Sequence, residues 1–126
     1  MKPKIGENMK NFIAVFIGSE TGKKRKKWDA LDKKTLKARE QAGMQAWHEW
    51  AHKHQKSIVD MGSPLGATKQ VDASGISNIT NLLCAYTLVK AKSHAEAAKL
   101  FIDHPHFSIF PGDSVEVVEC HPIPGM

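Results

Sequence analysis

The sharpest chemical pattern in this sequence is His48-Glu49-Trp50-Ala51-His52, an H-E-x-x-H arrangement. On a helix, histidines four apart stand one turn apart and can share a zinc ion, while the glutamate polarises a bound water. The helical angles argue against that use here. With Trp47 at zero, Trp50 falls about 60° to one side and His54 about 20° to the same side. His48 and His52 fall about 100° and 140° the other way, toward Gln45 and Gln55 on the polar flank. A third ligand is not identifiable. No metal site is assigned and no cofactor is expected, and a zinc-dependent hydrolase through residues 48–52 stands as an alternative reading.

Proton transfer offers a second chemistry. His104 and His106 flank Pro105 where a helix is expected to end. Imidazoles titrate near neutral pH and can move protons, and Asp60, ahead of a Gly62-Ser63 turn, could orient one of them. These three are the candidate catalytic residues. Each also has a plainer use, because a helix C-terminus favours histidine and an acid before a turn caps it. Tyr86, Ser63, Trp50 and His54 are the candidate ligand contacts, although Tyr86 on a central strand and His54 on an apolar seam suit a core equally well.

A third pattern, Gly18-Ser19-Glu20-Thr21-Gly22-Lys23-Lys24, follows a strand-like run and is similar to the phosphate loop of flavodoxins. Lys24 stands where the last hydroxyl belongs, and the basic run after it does not read as the helix that would direct a dipole at phosphate. The segment is expected to be a strand-ending turn.

The elements that would position these groups read in order along the chain. Residues 1–10 form a polar lead-in, and residues 11–126 one domain, in keeping with a length of 126 residues. Residues 11–17 are β-rich and close at Gly18, and a polar, basic loop continues to about Trp28. From about Asp29 or Asp32 to His54 the chain is rich in helix formers, with Leu36, Gly43, Trp47, Trp50 and Ala51 on one side. Strands are expected over 57–61, 68–72 and 82–90, with turns at Gly62-Ser63-Pro64 and Ser74-Gly75. Ser93-His94-Ala95-Glu96 has the capping-box form, so a second helix starts there and ends at His104-Pro105. Pro111-Gly112-Asp113 makes a turn before a last strand over 114–120. The whole suits a βαββαβ, ferredoxin-like α+β sandwich, an antiparallel sheet with two helices on one face.

Composition bounds the rest. Hydrophobic residues at 41% supply one lean core, so pairing with a second subunit would help to cover apolar faces. The net charge of +5 is concentrated in Lys23-Lys24-Arg25-Lys26-Lys27. That run is taken as a solvated loop. It carries no interleaved aromatics, so nucleic acid is not the expected partner. Cys84 and Cys120 lie in strand-like runs and are expected to pack as small hydrophobes. No secretory leader or membrane-length apolar run is evident, which places the chain in the cytoplasm.

From Trp47 onward the chain resembles the YCII-related family. The resemblance rests on Trp47-x-x-Trp50 and on Ile58-Val59-Asp60-Met61-Gly62-Ser63-Pro64-Leu65-Gly66. It continues through Val71, Gly75, Tyr86-Thr87-Leu88-Val89-Lys90-Ala91, Ser93 and Ala97. His104-Pro105-His106-Phe107, Ser114-Val115-Glu116-Val117 and His121-Pro122-Ile123-Pro124 complete it. The resemblance implies a homodimeric α/β barrel with a pocket for a small organic ligand. It also implies a His-Asp pair whose histidine usually stands on the first strand. Here residues 11–17 contain none, and Ala85 replaces the usual glycine before the tyrosine. The function expected is ligand binding, with cofactor-independent acid/base chemistry if the protein is an enzyme, and a non-catalytic regulatory dimer as the alternative.

Overall fold

The computed structural model describes residues 9–19 and 21–125. Most of the expected lead-in therefore lies outside the described residues, as does Glu20 of the first loop. The described residues form β1 (Lys10–Ile17), α1 (Lys23–Asp29), α2 (Lys33–Lys53), β2 (Ile58–Asp60), β3 (Thr68–Asp72), β4 (Gly75–Ile79), β5 (Leu83–Ala91), α3 (His94–Lys99), α4 (Pro105–Ser108) and β6 (Ser114–Glu119).

Four strands make one sheet in the order β2-β5-β1-β6, with every pair antiparallel. This is the strand order of a ferredoxin-like α+β fold, reached because β1 takes the centre between β5 and β6. Alternation along β1 decides which face is dry. Phe12, Ala14 and Phe16 are fully buried, and Val89 and Ala91 of β5 join them. Trp50 of α2, Ala97 of α3 and Phe101 close over this face, so both helices lie on one side. Each large apolar side chain so buried contributes about 1.5–3 kcal/mol.

The registers place a second apolar set on the opposite face. Ile13 pairs with Leu88 on one side and Val118 on the other, and Val15 pairs with Tyr86 and Glu116. No helix among the described residues covers this face, and Val118 remains 48% exposed.

The helix starts follow their caps. Asp32 accepts the Thr35 amide at 2.6 Å to start α2, and Ser93 accepts the Glu96 amide at 3.1 Å to start α3. The seam expected on α2 faces inward, with Gly43 and Trp50 buried. Trp50 also donates its indole N–H to the Leu100 carbonyl at 2.7 Å.

Four expectations need correction. The basic run 23–27 is not a loop but the body of α1, started at Gly22 in the left-handed region and held by Trp28, which buries its ring against Phe110. The 68–72 strand does not join the sheet. It pairs with β4, which the Ser74-Gly75 break concealed, as a separate hairpin turning through Ala73-Ser74. The helix opened by Ser93 stops at Lys99, and Pro105 starts α4 instead of ending its predecessor. Pro at a first helical position is favourable because its missing N–H would have been unpaired there. Finally, Cys84 and Cys120 are exposed, since both sit at strand ends beyond the cover of the helices.

Candidate functional site

A cleft of about 410 Å³ opens between α2 and the β2–β5 side of the sheet. Met44, Trp47 and His48, spaced i, i+3 and i+4 on α2, form one wall. The turn Met61-Gly62-Ser63-Pro64 and Cys84 to Thr87 of β5 form the other, and His106 and Phe110 close the end. The lining is mainly apolar with a few polar groups, which is the usual make-up of a small-molecule site.

Each wall is fixed by local chemistry. Gly62 has φ 71°, and a Cβ there would stand 1.8 Å from the Tyr86 carbonyl oxygen, so only glycine lets the turn lie flat on β5. Asp60 accepts the Gly62 amide at 2.8 Å and stabilises the same turn. The buried Thr87 hydroxyl donates to the Met61 carbonyl at 2.9 Å, tying the turn to the sheet from below. Pro64 bridges to Ala85 and prolongs the β2 edge past the turn.

His106 lies at the closed end. Its Nε2 is 2.7 Å from the Ile17 carbonyl, and a carbonyl only accepts, so Nε2 carries the proton. Burial lowers the His106 pKa despite that carbonyl, and Lys24 adds to the effect while Asp113 opposes it. The ring is therefore neutral at pH 7 with an unprotonated Nδ1. Its nitrogen-bearing edge lies over Gly112, where a Cβ would come within 2.2 Å of Cε1.

His104 stands behind the cleft and does not line it. It is fully buried among Phe16, Trp47, Trp50 and Phe101, with ring centroids 4.5 Å from Trp47 and 4.6 Å from Trp50. Its Nδ1 accepts the His106 amide at 3.0 Å, making His104 the N-cap of α4. The expected dipole favour for a histidine at a helix C-terminus thus does not apply to it. Burial, with smaller contributions from His106 and His54, lowers its pKa to about 3. Nε2 consequently carries the hydrogen, and it has no hydrogen-bond partner among the described residues. The surrounding aromatic faces offer it only weak N–H···π contacts.

The structure thus brings Tyr86, Ser63 and His106 to the cleft, and groups Trp50, His54 and His104 beneath it. His54 caps α2 at its C-terminus, half-buried, with its pKa lowered by burial and by Lys53. Asp60 is exposed on the edge strand, and no hydrogen bond or ion pair joins it to either histidine among the described residues. His48 and His52 are both exposed on α2, His48 at the cleft wall, and Glu49 accepts from Gln45 at 3.3 Å. No group of three or more His, Cys, Asp or Glu among the described residues could hold a metal ion. Met44, Met61, Ala85, Thr87 and Phe110 escaped the sequence reading. The i, i+3, i+4 row Met44-Trp47-His48, alongside the packed seam, is the signal that could have found the first wall.

No helix among the described residues is long and apolar enough to cross a membrane. No family model matches the sequence, and no curated protein matches it either. Among solved structures, 5-chloro-2-hydroxyhydroquinone dehydrochlorinase from Burkholderia phenoliruptrix AC1100, in complex with 2,5-dihydroxybenzoquinone, superposes with a TM-score of 0.48 at 14% identity. That likeness covers 85% of this chain and 89% of the other.

Proposed function

We propose that this protein binds a small, largely apolar organic molecule in the cleft between α2 and β5, and works as a YCII-like homodimer. The observation that carries the reading is the cleft itself. Its Trp47, Met44, Met61 and Phe110 walls suit a flat hydrophobic body, and Ser63 and His48 supply a hydroxyl and an imidazole contact.

The second face of the sheet supports the dimer. A sheet apolar on both faces needs a second layer, and Ile13, Val15, Leu88 and Val118 have none among the described residues. A second copy applying the same face would close a barrel of two sheets.

Acid/base chemistry on the ligand, where it occurs, falls to His106, which lines the cleft as a neutral imidazole with one unprotonated nitrogen. His104 then acts through His106 as a positioning residue, because it accepts the His106 amide, and Asp60 acts by shaping the Ser63 turn.

Native mass spectrometry of the full chain tests the reading, with p-cresol as a neutral aromatic probe. The expected species is a dimer that retains an organic adduct or p-cresol, and Ala85→Trp, which fills the cleft, removes that mass. A monomer, or an adduct that survives Ala85→Trp, would overturn it.

A further inference from the structure

A second cavity, of about 330 Å³, lies on the other side of Phe110, between α1, the start of α2 and the chain around Pro111. Its make-up differs from that of the cleft. Lys24, Lys27 and Arg39 line it, and no acidic residue among the described residues does. Trp28, Phe107 and Phe110 give it an apolar wall, with the Trp28 and Phe110 rings 5.6 Å apart and inclined at 45°.

The convergence is built into α1. Lys24, Lys27 and Trp28 recur at i, i+3 and i+4, and all three line this one cavity, joined by Leu31 from the link to α2. Like charges at i, i+3 weaken a helix, so the stripe stores repulsion that an anion would relieve. Lys24 is fixed in place by donating to the Gly112 carbonyl at 3.0 Å. Lys27 and Arg39 make no ion pair or side-chain hydrogen bond among the described residues.

Neighbouring acids among the described residues are engaged elsewhere. Asp29 pairs with Arg25 at 3.2 Å, Asp32 caps α2 through the Thr35 amide, and Asp113 lies near His106 without lining the cavity. Glu40 follows Arg39 on α2 and so points about 100° away from it. Lys24, Lys27 and Arg39 are solvent-exposed, and three cations converging beside an aromatic wall raise the local potential for an anion.

We propose that this cavity is an anion site for a small molecule with a flat aromatic body and a phosphate or carboxylate head. The ring lies along Trp28 and Phe110, and the head meets Lys27, Arg39 and the free protons of the Lys24 ammonium. The size fits one ring system and its head, at the lower end of small-molecule cavities.

Isothermal titration calorimetry of the full chain with 1-naphthyl phosphate tests this site. The probe is expected to bind about tenfold or more tightly than neutral 1-naphthol. The double variant K27Q/R39Q loses about tenfold or more in affinity for it. Raising salt from about 50 to about 300 mM weakens binding, as screening requires. Ala85→Trp, which blocks the cleft and not this cavity, leaves the affinity unchanged, so failure here and failure of the cleft reading are separable. Equal affinity for 1-naphthol, no effect of K27Q/R39Q, or loss of binding in Ala85→Trp would each overturn the proposal. Displacement by a single-stranded oligonucleotide at a lower phosphate concentration than by inorganic phosphate would overturn it in favour of a polymer.

Discussion

Gly43 of α2 lies directly beneath the ring of Phe110, so close that a Cβ at position 43 would stand 2.5 Å from both Cε2 and Cζ. The aromatic ring that separates the two cavities is thus seated on a glycine. Trp28 on one side and Trp47 on the other hold the ring there, at 5.6 and 6.2 Å between centroids.

Gly43→Ala therefore sets two effects against each other. Alanine stabilises a helix interior by about 1 kcal/mol relative to glycine. Displacing a ring packed between two indoles costs about 1–3 kcal/mol. The displacement is expected to win, so thermal denaturation followed by circular dichroism should show a lower Tm. An unchanged or higher Tm would mean that Phe110 swings aside freely.

At the cleft turn, Gly62→Ala meets backbone, not the end of a side chain. The Tyr86 carbonyl cannot move without breaking β5 from its partners, and φ 71° adds strain of about 1–2 kcal/mol. Urea denaturation should show a larger loss for Gly62→Ala than for Gly43→Ala. Asp60 separates by charge: Asp60→Asn keeps the acceptor for the Gly62 amide and should hold stability within about 0.5 kcal/mol of the parent. Asp60→Ala leaves that amide to water and should cost about 1 kcal/mol.

How far the sequence could be read follows the same physics. The α2 seam and the β1 and β5 strands were legible because Trp47, Trp50, Phe12 and Phe16 obey a single period each. The helix at Lys23–Asp29 was not, because five consecutive cations hide the inward-facing Trp28 that stabilises it. The β3–β4 hairpin was half-read, since Gly75 signals a break and also starts the returning strand. For the site, residue type and position at turns and element ends singled out Ser63, Tyr86 and His106, and these three line the cleft. The separation of His104 from His106 was beyond reach. Two residues apart in sequence, they differ because Pro105 starts a helix and turns one ring into the aromatic core and the other toward the cleft.

That separation gives stability a definite pH dependence. In the unfolded chain His104 takes up a proton as pH falls through about 6.5, whereas in the fold it stays neutral down to about 3. Below about 6.5 the unfolded state thus binds the extra proton, and stability falls with pH by about 1.4 kcal/mol per unit until the folded value is reached. His106 and His54, also lowered, steepen the upper part of that window. Urea midpoints measured between about pH 7.5 and pH 4 should therefore decline. His104→Phe, whatever it costs at neutral pH, should flatten the slope by one proton. An equal slope in that variant would show that His104 is not held neutral.

The sheet face that no helix among the described residues covers makes the last prediction. Leu88 sits opposite Ile13, and Val118 flanks Ile13 on its other side, so these three form one apolar row across β5, β1 and β6. In a single copy, Leu88→Glu would place a charge at the edge of solvent with little effect on folding. Between two copies, the same charge meets its own mate and an apolar surface, and an unpaired buried charge costs several kcal/mol. Sedimentation velocity should accordingly find the parent chain as a dimer and Leu88→Glu as a folded monomer with near-parental circular dichroism. A parent chain that sediments as a monomer, or a Leu88→Glu dimer of unchanged affinity, would exclude this face as the contact. If dimerisation is lost while p-cresol still binds, the cleft is complete within one copy. If both are lost, residues of the second copy finish the site.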